Sequence, residues 1–221
     1  MRSGILGTAV GLVLAGCALE GDGEVVEVER EVGRFDALEV FSGFVVDVRV
    51  EPELADAEAL AVTVAGESNL LGRLFTVIHG EGVLSIAIDP NLLTAPTVMP
   101  RASLAAPALA SVFVADRSQV TVEGAGGAVR FEAAEEAKIT ATGLVDAAAE
   151  VKARGASAVA LAGAGTRLVV DAGDGASVDA GGFAAGAVEV TVAGTATVVV
   201  CTTGEAPVIT GAAAQVTVAC S

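Results

Sequence analysis

The chain of 221 residues contains no tryptophan and no tyrosine, a single histidine and only 7 phenylalanines. Flat amphipathic rings, on which sugar-binding clefts rely for stacking, are therefore scarce. Cations are scarce too. Lys and Arg number 12 against 28 carboxylates, for a formal charge of -16, and removal of the first sixteen residues, whose one charged side chain is Arg2, takes that charge to -17. With the basic residues scattered singly, the chain has no patch to exchange counterions with phosphate, which excludes nucleic acid as a partner. The same field repels a bare anionic membrane, so membrane attachment has to be covalent or protein-mediated. Beyond the N-terminus, no apolar run is long enough to span a bilayer.

What is abundant is small and apolar. Hydrophobic residues make up 53% of the chain, mostly Val and Ala, beside 27 glycines. Side chains of that size suit thin, regular β layers whose backbones stack closely.

The N-terminus carries an address. Met1, Arg2 and the free amine form a short positive region, and Ile5 to Ala15 is an apolar run too short to cross a bilayer. Residues 1–16 read as a signal segment. Leu14-Ala15-Gly16-Cys17 resembles the lipobox of bacterial lipoproteins, in which the cysteine is acylated and becomes the first mature residue. Acyl chains contribute about 0.8 kcal/mol per buried methylene, so two or more on Cys17 would hold the protein to a membrane. Residues 17–23 then form the lipidated tether. An ordinary cleaved signal with an incidental cysteine is the alternative.

Cys201 and Cys220 are the other two thiols, 19 residues apart. If successive repeats stack as parallel strands, their α-carbons lie roughly 4.8 Å apart, inside the disulfide window of about 4.4 to 6.8 Å. Export to an oxidising compartment favours a bridge over two buried free thiols. A metal site is disfavoured because His79 is the one histidine.

From residue 115 the sequence repeats itself. Apolar anchors fall at Val120, Ile139, Val159, Val178, Val198 and Val216, in steps of 19, 20, 19, 20 and 18. Each is followed two positions on by another apolar or small residue, the period-2 mark of a half-buried strand. A second strand follows most anchors: Val129 and Phe131, Ala149 and Val151, Leu168 and Val170, Val188 and Val190, with the fifth member ambiguous between Val208 and Ile209. Small turns at Gly124 to Gly127, Gly155-Ala156, Gly163 to Gly165, Gly173 to Gly175 and Gly194 are expected at the corners. Two strands per turn of about 19 or 20 residues specify an all-β chain folded as a parallel β-helix. Leucine-rich repeats are excluded, since residues 115–221 hold three leucines and no asparagine. Asp146 to Ala153 has helical propensity, but its register matches strands elsewhere. Residues 24–114 alternate less regularly and read as a wider first part of the same solenoid, with two subdomains divided near residue 100 as the alternative.

Several segments together resemble one family. Gly21-Asp22-Gly23, Arg30 to Val40, Val45 to Val50, Glu67-Ser68-Asn69-Leu70-Leu71, Gly82 to Ile86 and the Gly-Ala-Ser steps at 155 and 175 are similar, in order, to the head-GIN domain, also called the putative auto-transporter adhesin family. The resemblance covers residues 21 to 219. It implies a right-handed β-helix in a bacterial envelope lipoprotein, and it brings no catalytic residues and no cofactor. The decay of the repeat at Thr195-Ala196-Thr197 and Ala213-Ala214-Gln215, and the cysteine pair, set the last turns apart.

Chemistry is sparse. Asp171, Asp174 and Asp179 around one turn could pair as acid and base or bind calcium, but Asp and Gly are common at corners for turn reasons alone. His79 has no nucleophile at a telling spacing. The outward row Thr121, Thr140, Ala160, Asp179, Val199, Thr217 is no threonine ladder, which argues against ice binding. The expectation is a non-enzymatic module, tethered to the membrane through Cys17 and presenting a flank or end to another envelope protein or surface component. A degenerate polysaccharide-processing enzyme is the rival, and oligomeric state is left open.

Overall fold

A computed structural model describes residues 18–80, 82–91, 93–212 and 215–220. The strands are β1 (Leu19–Glu20), β2 (Val25–Val32), β3 (Ala37–Val40), β4 (Val45–Val50), β5 (Leu60–Glu67), β6 (Leu74–His79), β7 (Val83–Ile88), β8 (Thr94–Ala95) and β9 (Arg101–Ala106) in the first half. Then come β10 (Ser111–Val114), β11 (Gln119–Glu123), β12 (Gly126–Ala133), β13 (Lys138–Ala153), β14 (Ala158–Ala172), β15 (Ser177–Val192), β16 (Thr197–Thr202), β17 (Val208–Gly211) and β18 (Val216–Val218). They wind into a β-solenoid with two flanks.

The six anchors form one column. Val120 pairs with Ile139, Ile139 with Val159, Val159 with Val178, Val178 with Val198 and Val198 with Val216, all in parallel ladders. The first five are at most 2% exposed, whereas Val216 is half-buried, because nothing is stacked beyond it among the described residues. The opposite flank has its own column, in which Val112, Phe131, Val151, Val170 and Val190 pair in turn. Ile209 continues it, and Val208 sits opposite Glu189 with its side chain in solvent. Burying each such Val or Ile stabilises by roughly 1.5 to 3 kcal/mol, so the stack is held by many equal contributions.

Two features of the coils differ from the expected pattern. In β13, β14 and β15 the two strands of a coil are one continuous strand, bent where the register slips, so Gly163 to Gly165 lie inside a ladder and not in a turn. The true turns sit on the other edge and are closed by i to i+3 bonds such as Ser118 N–H to Ala115 O (3.1 Å) and Ala137 N–H to Ala134 O (3.0 Å). Their central residues have positive φ and include Asp116, Arg117, Glu135 and Glu136. Non-glycine residues hold this conformation because the coils above and below bond their backbone, as in Arg117 N–H to Glu135 O (3.1 Å).

The first half stacks out of chain order. β3 and β4 form a coil lying between the coil of β7 and β9 on one side and that of β10 and β11 on the other. After β4 the chain therefore leaves for the end of the solenoid, builds inward again through β7 and β9, and returns at β10. The excursion reverses direction, so β2 with β5, β5 with β9 and β6 with β7 are antiparallel. A uniformly parallel, consecutive winding does not hold there. Reversal gives the end of the stack a closing layer, and the guanidinium of Arg30 on β2 donates across it to Leu74 O (2.5 Å), Leu71 O (3.1 Å) and Thr76 Oγ1 (3.2 Å), blunting an otherwise open edge.

The far end is pinned covalently. Cys201 and Cys220 are joined, with α-carbons 4.7 Å apart across adjacent coils. For a loop of this size the chain-entropy model assigns about 3 kcal/mol. Cys220→Ala in the oxidised protein is expected to raise amide exchange in β16 to β18 by one to two orders of magnitude, on the order of that energy. Unchanged exchange there would show that packing alone holds the last coil.

Candidate functional site

The residues with catalytic potential do not converge. Asp171 lies on the outer face of one flank between Lys152 and Thr191, ion-paired to Arg154 (2.5 Å). Asp179 lies on the opposite flank between Ala160 and Val199, accepting the N–H of Gly181 (3.1 Å), and Asp174 occupies a positive-φ turn position. Each carboxylate thus has a local role in a ladder or a turn. His79 ends β6 and contacts Glu39 (Nε2 to Oε2, 3.2 Å) on an exposed surface. Among the described residues, no three His, Cys, Asp or Glu side chains are grouped to hold a metal.

Among the described residues one carboxylate is buried. Glu67, 1% exposed at the end of β5, accepts from Gly23 N–H (2.7 Å), Thr97 N–H (2.9 Å), Thr97 Oγ1 (2.5 Å) and Val98 N–H (3.4 Å). Its neighbours complete a latch. Ser68 Oγ donates to Asp22 Oδ2 (2.5 Å), and Asn69 Nδ2 donates to Glu20 O (2.7 Å). A side chain at Gly21 would overlap the Glu67 carboxylate, and Gly23 has a φ of +76°. The two glycines and the Glu-Ser-Asn run are thus halves of a single contact that fastens the N-terminal segment to the solenoid. β1 adds to it by pairing with β8, Leu19 opposite Thr94.

The Thr97 hydroxyl, followed by backbone N–H donors, holds the Glu67 carboxyl below its ordinary pKa despite burial. A depressed carboxyl pKa contributes stability that is complete above the ordinary glutamate range, near pH 4 to 5, and is lost as pH falls through the folded-state value. Limited proteolysis is accordingly expected to cut within residues 18–24 faster below pH 4 than at pH 7, and Glu67→Gln to abolish most of that pH dependence. A pH profile identical in the variant would remove Glu67 from the latch.

A second surface stands out by its rings. Phe35, Phe44, Phe131 and Phe183 are buried, but Phe41, Phe75 and Phe113 point outward on one flank. Phe75 faces Ala87 across the β6–β7 ladder, Phe41 N–H bonds Ile86 O (3.0 Å), and the rings of Phe41 and Phe113 lie 5.5 Å apart at 53°. Phe41 and Phe75, with Val77, Ile88 and Pro90, border a surface groove of about 430 Å³. Periodicity conceals this patch: Leu74 to Ile78 is apolar at both odd and even positions, and which set faces the core is settled by the partner strand. A run apolar on both faces in a strand at the sheet edge is the signal that could have revealed it.

A family model described as putative auto-transporter adhesin, head GIN domain, matches residues 34–221. No curated protein matches the chain significantly in sequence. Among solved structures, a putative adhesin from Bacteroides fragilis superposes with a TM-score of 0.74 at 13% identity, covering 92% of this chain and 100% of its own. A protein from Parabacteroides distasonis described as a putative lipid binding protein gives 0.61 at 13% identity, covering 93% of this chain and 98% of its own. A putative adhesin from Parabacteroides merdae gives 0.55 at 11% identity, over 92% of this chain and 99% of its own. At such identities the likeness is one of fold.

Proposed function

The chain belongs to the head GIN domain family of putative auto-transporter adhesins, and from that premise we propose that it is a non-enzymatic, adhesin-like binding module of the bacterial envelope. It recognises the apolar surface of a partner protein through Phe41, Phe75, Val77 and Phe113. The outward ring cluster is the observation that carries this reading. A chain that buries its other four phenylalanines leaves Phe75 exposed and Phe41 and Phe113 half-buried on the outer face of one flank, where apolar exposure in a contiguous patch marks an interaction surface. The 53° tilt between Phe41 and Phe113 favours a protein partner over a saccharide, because pyranose stacking needs a flat face.

Export and lipid attachment at Cys17 belong to the same proposal. Cys17 lies outside the described residues, and the support for its acylation is the lipobox-like run before it. The dispersal of Asp171, Asp174 and Asp179 supports a non-catalytic role.

A photo-crosslinking amino acid at Phe75 in intact cells tests the binding surface, with the same probe at Val208 as the distant control. The expected result is one discrete protein adduct from position 75, absent from 208 and lost when Phe41 and Phe113 are changed to serine in a variant of unchanged circular dichroism. No adduct, or cleavage of envelope polysaccharide by the purified chain, would overturn the proposal.

A further inference from the structure

We infer that the corner of the solenoid made by β1 and the strap Leu93–Met99 lies in the interfacial layer of the bilayer, so that the lipid on Cys17 fixes the orientation of the whole stack. This rests on the anchoring reading above. The starting observation is the lack of slack. Residues 17–23 have the position of a tether, yet Leu19 N–H bonds Leu93 O (2.8 Å), Gly21 N–H bonds Ala95 O (3.1 Å), and Gly23 N–H bonds the buried Glu67. Only Ala18 separates Leu19, already bonded into the solenoid, from the cysteine proposed as the anchor. An extended residue spans at most about 3.6 Å, so a lipid on Cys17 holds Leu19 within roughly 7 Å of the attachment atom's backbone.

The surface at that point suits an interface. Leu93 is 70% exposed, Met99 46%, Leu19 42% and Val98 37%, four of the large apolar side chains the fold leaves in solvent. Leu93 and Met99 also border one groove with Ile88, Pro90 and Pro96. An anchor alone would leave these side chains in water and the stack free to tumble about a single bond. Burying them among headgroups and upper acyl chains adds a second attachment, of the kind by which apolar faces sink about 5 to 10 Å into a membrane surface. Glu20, Asp22 and Glu24 follow directly in the chain, so the corner favours zwitterionic over anionic lipid. The aromatic groove adjoins this corner, sharing Ile88 and Pro90 with it.

The absence of native tryptophan makes the test direct. Leu93→Trp, Met99→Trp and Val208→Trp forms of the full chain are produced in cells, extracted from the envelope in detergent and reconstituted into phosphatidylcholine vesicles with brominated acyl chains. Intact mass reports whether Cys17 carries lipid. Emission from Trp at 93 and 99 is expected to shift blue and fall by about half relative to unbrominated vesicles, as interfacial burial requires, with no change at 208. An acylated, co-floating protein whose Trp at 93 and 99 is unquenched, or is quenched no more than at 208, overturns the inference and leaves the anchoring reading standing. An unmodified Cys17 on a chain that fails to float with vesicles overturns both.

Discussion

Phe131→Ala is expected to cost about 3 to 5 kcal/mol, read as a fall in the denaturant midpoint without a change in slope. Phe131 is fully buried in β12, between Val112 below and Val151 above. Its neighbours in the column are fixed by backbone ladders at the strand spacing, so the stack cannot collapse into the vacancy and the cavity term is retained. Against a total stability that for ordinary domains is about 5 to 15 kcal/mol, that is a large fraction. Position along the axis matters as well. In a quasi-one-dimensional stack each coil contacts only its neighbours, so loss at the centre is felt globally while loss at the end is local. Val216→Ala, at a half-buried site in the last coil, should cost under about 1 kcal/mol. Equal effects at 131 and 216 would contradict an end-to-end stack held by these columns.

The other large effect is at the bend. Gly163 has a φ of +135°, and a Cβ there would overlap the backbone N and O of Leu144 in the coil below. At Gly165 it would overlap the carbonyl of Ala147 and the ring of Phe183. The bend is therefore a place where backbone stacks on backbone with no room for a side chain. Relief would require parting two coils, and with them several ladder bonds worth about 1 kcal/mol each. Gly163→Ala and Gly165→Ala are each expected to lose more than about 3 kcal/mol or fail to fold, at the upper end of single-substitution effects. Gly43→Ala is the matched control, since φ is +76° there but nothing lies within 4 Å. It should cost about 1 to 2 kcal/mol, the left-handed backbone term alone. If thermal melts rank Gly43 with Gly163, crowding is not what the bend glycines relieve.

The coil register was readable from spacing because it is a local property. An apolar side chain every 19 or 20 residues can be buried only if coils of that length stack, so Val120 to Val216 align whatever else the chain does. The same spacing placed Cys201 over Cys220. The fifth member of the second column was not readable, since Val208 and Ile209 are both apolar, and pairing with Val190 selects Ile209. Corner chemistry misled for a similar reason: Glu135 and Glu136 carry no local turn signal, and their positive φ is imposed by the coils on either side. A raised Glu135 pKa, from its hydrogen bond and repulsion with Asp116 in the turn below, is a consequence of that enforced proximity.

The candidate sites were legible only in pieces. Glu67, Ser68 and Asn69 were visible as a motif, but their role as a latch required Gly21 to Gly23 and Thr97 to be brought to them from distant parts of the chain. Phe41, Phe75 and Phe113 could not be assigned outward without knowing which faces of β3, β6 and β10 were covered.

The amino-acid order alone dictated an all-β solenoid, its coil length and the alignment of its later rungs, because each follows from side-chain alternation and repeat length within a few coils. Three-dimensional pairing chose the rest: β3 and β4 sit between coils that come later in the chain, and the first strands run antiparallel. Any strand with the right alternation can hydrogen-bond to any other, so long-range contact and the need to close an open edge select among equivalent ladders that no local pattern distinguishes.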